Sequence, residues 1–358
     1  MLLSILLASI SLAQVGPEPA YTLHVPKTYT AERAWPLLLG FDPRARGSNV
    51  TERFAAAAET YGWIVAGSNQ SRNGSWDVSS AALETMSREI LARYNIDPKR
   101  IYTTGMSGGA RVAMQVALGT GRVAGVIASS AGYPDVKPRR TVPFAVFGTA
   151  GSEDFNWLEM RELDRELTTP HRLRVFEGGH VWMSAELATE AIEWMELQAM
   201  KTGLRAKDSA LWERMLEKRK AALEGLSGRA AWEAARAIAI DFNDVGMAAR
   251  AKLLERDKAV KAGIRGERLE EELELARRTQ IGMSEAGLTD PLRKRQSHDE
   301  LRDILSRLAI EAKAETDSSA RRVARRVTLS LAAGGGEGAR GPDFRKLIEG
   351  LGIARRPI

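Results

Sequence analysis

The chain has 358 residues, 44% of them hydrophobic, enough for about two domains with ordinary buried cores. It contains no cysteine, which excludes disulfides, thiolate metal sites and a cysteine nucleophile. The net charge of +6 is uneven: residues 201–358 carry 33 Lys+Arg against 25 Asp+Glu, residues 1–200 carry 19 against 21, and a domain boundary is expected near 200.

The opening stretch, MLLSILLASISLAQ, is apolar but too short to span a bilayer. Small residues at Ser11 and Ala13 suit a cut after Ala13. Residues 1–13 are therefore expected to be a signal peptide, with a secreted or periplasmic mature chain starting near Gln14. From 20 to 200, strand-like and helix-like runs alternate. The strand-like runs are YTLHVP, PLLLGFDP, GWIVAGSN, RIYTTGM, VAGVIASSA, PFAVFGTAG and LRVFEGG. Several are continuously apolar, as strands buried on both faces are. TERFAAAAETYG, SSAALETMSREILARYN, GGARVAMQVALG and WLEMRELDREL read as the intervening helices. This alternation predicts an α/β domain over 14–203, a parallel-type sheet with helices on both faces.

After about 206 strand signals vanish, and an all-α C-terminal domain is expected over 204–358. DSALWERMLEKRKAALEGL puts Trp212, Met215, Leu216, Ala222, Leu223 and Leu226 on one stripe, interrupted by Arg219. In the stretch from Asp290, that residue suits an N-cap with Pro291 at the first helical position. Leu301, Ile304, Leu305, Leu308 and Ala312 then recur at helical spacing. The Gly-rich segment 332–341 reads as a linker or helix terminator. The basic charges are interspersed, which suits a solvated face and not a nucleic-acid partner. No later segment reads as a membrane span. The amphipathic stripes suggest that this domain packs over or beside the first one, as a lid or a protein-partner surface.

One short motif carries chemistry. Gly105-Met106-Ser107-Gly108-Gly109 joins the strand IYTT to the helix ARVAMQVAL, which places Ser107 on a tight strand-to-helix turn. A serine there is forced into a strained backbone, and the glycines remove side chains that would collide. A hydroxyl needs a base to become a nucleophile. Of the four histidines, His180 follows the last strand, while His24 lies within the first, His171 precedes the last strand at the opposite edge, and His298 sits near a helix start. His180 is the expected base. The carboxylate that orients it is expected to be Asp154, with Glu153 second and Asp135 third. The order Ser, acid, His along the chain agrees. An oxyanion hole is expected from the N–H groups of Gly108 and of Arg44 or Ala45, since Pro43 has none. Asn69, Arg72, Asn73 and Trp76, together with Asp42, Met106 and Trp182, are expected to line the substrate cleft. No metal-ligand cluster is apparent, and no metal or cofactor is expected.

The stretches GMSGGA, VFGTAGSEDFN and FEGGHVW resemble the α/β-hydrolase family over roughly residues 20–200. Within it the chain is similar to the secreted esterases grouped with polyhydroxybutyrate depolymerases and feruloyl esterases. The resemblance implies that Ser107, Asp154 and His180 are nucleophile, acid and base in hydrolysis of a small-molecule or polymer ester. Those enzymes usually carry a His-Gly pair on the oxyanion loop, whereas this chain reads FDPRARG. A peptidase with the same three residues, and an inactive hydrolase-fold scaffold working through its helical half, are the rival expectations.

Overall fold

The structure, a computed structural model, describes residues 19–134, 140–334 and 341–353. Residues 1–13, expected to be a signal peptide, Asp135 and most of the Gly-rich segment lie outside the described residues.

Among the described residues seven strands form one sheet in the order β1-β3-β2-β4-β5-β6-β7. They are β1 (Tyr21–His24), β2 (Trp35–Phe41), β3 (Ile64–Ser68), β4 (Ile96–Met106), β5 (Val123–Ser129), β6 (Ala145–Gly151) and β7 (His171–Phe176). Only the edge strand β1 is antiparallel to its neighbour; the other pairs are parallel. The period-2 geometry of a strand explains the continuous apolar runs. In β2, Leu37, Leu39 and Phe41 enter one buried cluster and Leu38 the opposite one. The first cluster is covered by α2 (Trp76–Arg93), α3 (Gly108–Thr120) and α4 (Trp157–Glu166), the second by α1 (Gly47–Tyr61) and α5 (Ala185–Lys201).

Among the described residues seven helices follow: α6 (Ser209–Glu224), α7 (Gly228–Phe242), α8 (Val245–Leu254), α9 (Lys258–Gly287), α10 (Lys294–Glu311), α11 (Ser319–Ala332) and α12 (Pro342–Gly350). Their apolar faces form two clusters. One runs from Leu197 and Met200 of α5 through α6, α7 and α8; the other joins α9 to α12. Arg219, which interrupts the α6 stripe, pairs with the buried Asp241 of α7. Asp241 also accepts from Arg172 of β7 at 2.5 Å and from the Trp194 indole of α5 at 3.2 Å, so the helices are riveted to the sheet. The α10 start differs from the sequence expectation. Asp290 caps a turn instead, accepting from Leu292 N–H at 2.9 Å, and the helix begins at Lys294. Among the described residues no helix is long and apolar enough to cross a membrane.

Candidate active site

The site sits at the carboxyl edge of the sheet. Cross-strand register aligns Met106 with Ser129, Ser129 with Thr149, and Gly151 with Phe176, so the loops after β4, β6 and β7 leave from one edge of the sheet, with β5 between the first two. Ser107 is the single residue between β4 and α3, with φ 55° and ψ −123°. That conformation strains an L-residue. It is held by Ser107 N–H donating to Ser129 O at 2.8 Å and by Ala110 N–H donating to Ser107 O at 2.9 Å. A β-carbon at Gly109 would fall on the Phe41 carbonyl, and one at Gly105 on the backbone of Gly109. The strand and helix approach too closely for any other residue.

His180 follows β7, and its loop is paired to the loop of Asp154 by Glu153 N–H donating to Gly178 O at 2.8 Å. The His180 Nε2 lies 2.8 Å from Ser107 Oγ, and Nδ1 lies 2.7 Å from Asp154 Oδ1. With Nδ1–H given to the carboxylate, Nε2 presents a lone pair to the serine hydroxyl. Asp154 is fully buried, and Asn156 N–H also donates to its Oδ1, at 2.8 Å. The carboxylate of Glu153, the second candidate, faces away from the imidazole, toward Arg321 and Arg325. The remaining histidines lie elsewhere: His24 is 3.0 Å from Glu59, His171 Nδ1 contacts Thr169 O at 2.7 Å, and His298 lies beside Asp299.

Phe155, which sequence reasoning did not single out, stacks on the His180 ring, with centroids 3.9 Å apart and planes 27° from parallel. Its place directly after Asp154 was the one available signal. Ser129 and Ser130 were also missed. Ser129 Oγ accepts from Met183 N–H at 3.3 Å, Ser130 Oγ donates to Val181 O at 3.3 Å, and both brace the histidine loop.

The oxyanion side departs from expectation. Arg44 N–H donates to Asp42 Oδ1 at 2.9 Å, and Ala45 N–H donates to Asp42 O at 3.1 Å, which commits both donors to the loop's own turn. Gly108 opens α3, where backbone N–H groups and the helix dipole favour negative charge. The Asn73 carboxamide occupies the space where a side chain on Gly108 would lie, and Asn73 N–H donates to Pro43 O at 2.9 Å. Asn73 thus stands beside the serine. Arg72 is exposed on the same loop and bridged to Arg44, and Trp76, also exposed, opens α2.

Four other residues expected in the cleft are framework instead. Met106 packs in the core under the sheet. Asn69 is consumed in tying chain segments together, accepting from Gly47 N–H and donating to Pro19 O, each at 2.9 Å. Asp42 is fully buried, accepting from Asn49 Nδ2 at 2.8 Å and from the Trp182 indole at 2.9 Å. The pair Asp42–Trp182 pins the residue two beyond His180 to the loop after β2. Burial pushes the Asp42 carboxyl up, but hydrogen bonds from Asn49, Trp182 and Arg44 N–H, with the Arg46 charge, outweigh it and hold it below the ordinary value. A lowered folded value means that its contribution to stability is complete above the unfolded aspartate value of about 3.9 and is lost as pH falls through the folded value. Asp42→Asn should therefore show a shallower fall of melting temperature with acidification below about pH 4 than the parent chain.

No family model and no curated protein matches the chain. Solved structures do. A ferulic acid esterase is 19% identical, covering 48% of this chain and 88% of its own, with a TM-score of 0.38. The fluorophosphonate-binding serine hydrolase F of Staphylococcus aureus, solved with substrate bound, is 13% identical, covering 49% and 91%, with a TM-score of 0.40. Est1E of Butyrivibrio proteoclasticus, with ferulic acid bound, is 13% identical, covering 51% and 95%, with a TM-score of 0.39. The strand order, the antiparallel first strand and the single-residue turn at Ser107 give this chain, over its N-terminal half, the α/β-hydrolase fold, with an all-α region appended.

Proposed function

We propose that the chain is a serine hydrolase that cleaves carboxylic esters through an acyl-enzyme on Ser107. The observation that carries this reading is the hydrogen-bonded line Ser107 Oγ, His180, Asp154, with contacts of 2.8 and 2.7 Å. His180 Nε2 takes the Ser107 proton as Oγ attacks the ester carbonyl carbon. The N–H of Gly108 faces the developing oxyanion, and Asp154 stabilises the imidazolium. The tetrahedral intermediate collapses, the C–O bond to the alcohol breaks, and His180 Nε2–H protonates the departing alkoxide. Water, deprotonated by the same nitrogen, then attacks the acyl carbon and releases the acid and Ser107. Asn73, Arg72 and Trp76 form the exposed rim where the substrate enters. Export by way of residues 1–13 belongs to the same reading.

The test is direct. A fluorophosphonate probe should label the intact protein at Ser107, short p-nitrophenyl esters should be hydrolysed, and Ser107→Ala should lose both properties while keeping its circular dichroism spectrum. Folded parent protein that takes no label would favour an inactive scaffold. Labelled protein that prefers peptide amides would move the assignment to a peptidase.

A further inference from the structure

The helical region grips one particular piece of the α/β domain. Arg326 of α11 is fully buried. Its guanidinium donates to Ser152 O at 2.6 Å, to Glu274 Oε2 at 2.6 Å and to Glu270 Oε1 at 2.7 Å. Its Cζ lies 4.0 Å from the centroid of the Trp157 ring. Arg278 of α9 donates to Phe155 O and to Glu274 Oε1, both at 2.8 Å. Arg325 and Arg321 meet the Glu153 carboxylate at 2.8 and 3.1 Å. Residues 152, 153 and 155 are thus each held by an arginine of the helical region. The residue between them is Asp154.

Stability alone accounts poorly for this arrangement. A buried ion cluster of Arg326, Glu270 and Glu274 contributes little net stability over an apolar packing of the same shape, because all three charges must be desolvated. What a rigid guanidinium fork does supply is a fixed position for the carbonyl it holds. Asp154 needs such support. Of its two oxygens only Oδ1 is hydrogen-bonded among the described residues, so side-chain hydrogen bonds fix the carboxylate through one atom alone. The loop's backbone must define where it points. The same loop carries Phe155, whose ring covers the imidazole.

We propose that the helical region positions the acid: Arg326 and Arg278 hold the 152–155 loop by its carbonyls, so that Asp154 meets His180 Nδ1 and Phe155 stays stacked on the ring. This rests on reading Ser107, Asp154 and His180 as the reacting set. Both arginines are positioning residues, since neither touches the serine or the imidazole. The helical region is then part of the active-site framework and not a detachable partner surface.

Arg326→Lys keeps a cation for the two glutamates but cannot reach three partners at once. Arg278→Ala removes a partly exposed side chain and the hydrogen bond to Phe155 O, and serves as the milder variant if the first folds poorly. In full-length protein, normalised by fluorophosphonate titration of Ser107, each should lower kcat on the order of 10-fold while changing KM less than about 2-fold. The low-field proton resonance of His180 Nδ1–H, shared with Asp154, should broaden or shift in both. A fall in melting temperature alone, with kcat per titrated site and the resonance unchanged, overturns the proposal. If the parent protein takes no label, the hydrolase reading fails on its own. The resonance then still decides the positioning: altered in the variants, it stands; unaltered, it falls.

Discussion

Replacing Asp154 with Asn is expected to lower kcat about 10⁴-fold, with little change in KM and an unchanged circular dichroism spectrum. The causes are the charge and the tautomer. In the native protein Nδ1–H of His180 is given to Asp154 Oδ1 at 2.7 Å, which leaves Nε2 as the acceptor facing Ser107. An asparagine with its carbonyl oxygen at the Oδ1 place, where Asn156 N–H also donates, would carry no charge to stabilise the imidazolium; with its amide nitrogen there it would fix the opposite tautomer, with the ring proton on Nε2, and the serine would lose its base. The nearly isosteric side chain fills the same buried space, so the loss is chemical and not structural. Glu153→Gln is the companion measurement. That carboxylate faces Arg321 and Arg325, so the neutral amide weakens ion pairs at the rim of the loop and should cost less than about 10-fold in kcat. Steady-state kinetics on a short ester would separate the two. The opposite ranking, with Glu153→Gln the more damaging change, would reverse the choice of acid.

The parts of this molecule that were legible in the sequence share a physical basis: each is encoded by neighbours in the chain. The strands of the sheet read as continuous apolar runs because a parallel sheet buries both faces, and Leu37, Leu38 and Leu39 enter opposite clusters in alternation. The turn at Ser107 was readable because Gly105 and Gly109 are needed where strand and helix backbones nearly touch. The helices of the second half announced themselves by spacing, and Leu301, Ile304, Leu305 and Leu308 are all buried. What escaped depends on contacts between distant residues. Arg326 meets Ser152 from 174 positions away, and Arg278 meets Phe155 from 123. A lone arginine on a helix carries no mark of the carbonyl it will hold. Asp42 is a similar case. It is expected in the cleft wall from the sequence, whereas four donors, from Asn49, Trp182, Arg46 and the Arg44 backbone, gather around its carboxylate. Arg219 completes the pattern. It broke an apolar stripe in the sequence, and in the fold it is the partner of the buried Asp241.

Ser107→Gly should make the protein inactive and more stable at once. Removing the hydroxyl is expected to cost about 10⁶-fold in kcat, the scale on which loss of a serine nucleophile acts when its base and acid remain. The stability change comes from the backbone. Ser107 sits at φ 55° and ψ −123°, a region that an L-residue occupies only at a cost of about 1–3 kcal/mol. Glycine adopts it freely, and returns about 0.4–1 kcal/mol through the greater freedom of its unfolded chain. The net gain should be about 1 kcal/mol, or roughly 2–4 °C in melting temperature for a domain of this size. Ser107→Ala supplies the comparison. It loses the same hydroxyl and the same contact with His180, but its β-carbon keeps the strain, so its melting temperature should stay below that of Ser107→Gly. The difference between the two variants isolates the backbone from the chemistry. Equal melting temperatures would mean that the turn imposes no strain on its serine. The higher value in Ser107→Gly would mean that the fold sacrifices stability at the one residue whose oxygen must stand clear of the sheet.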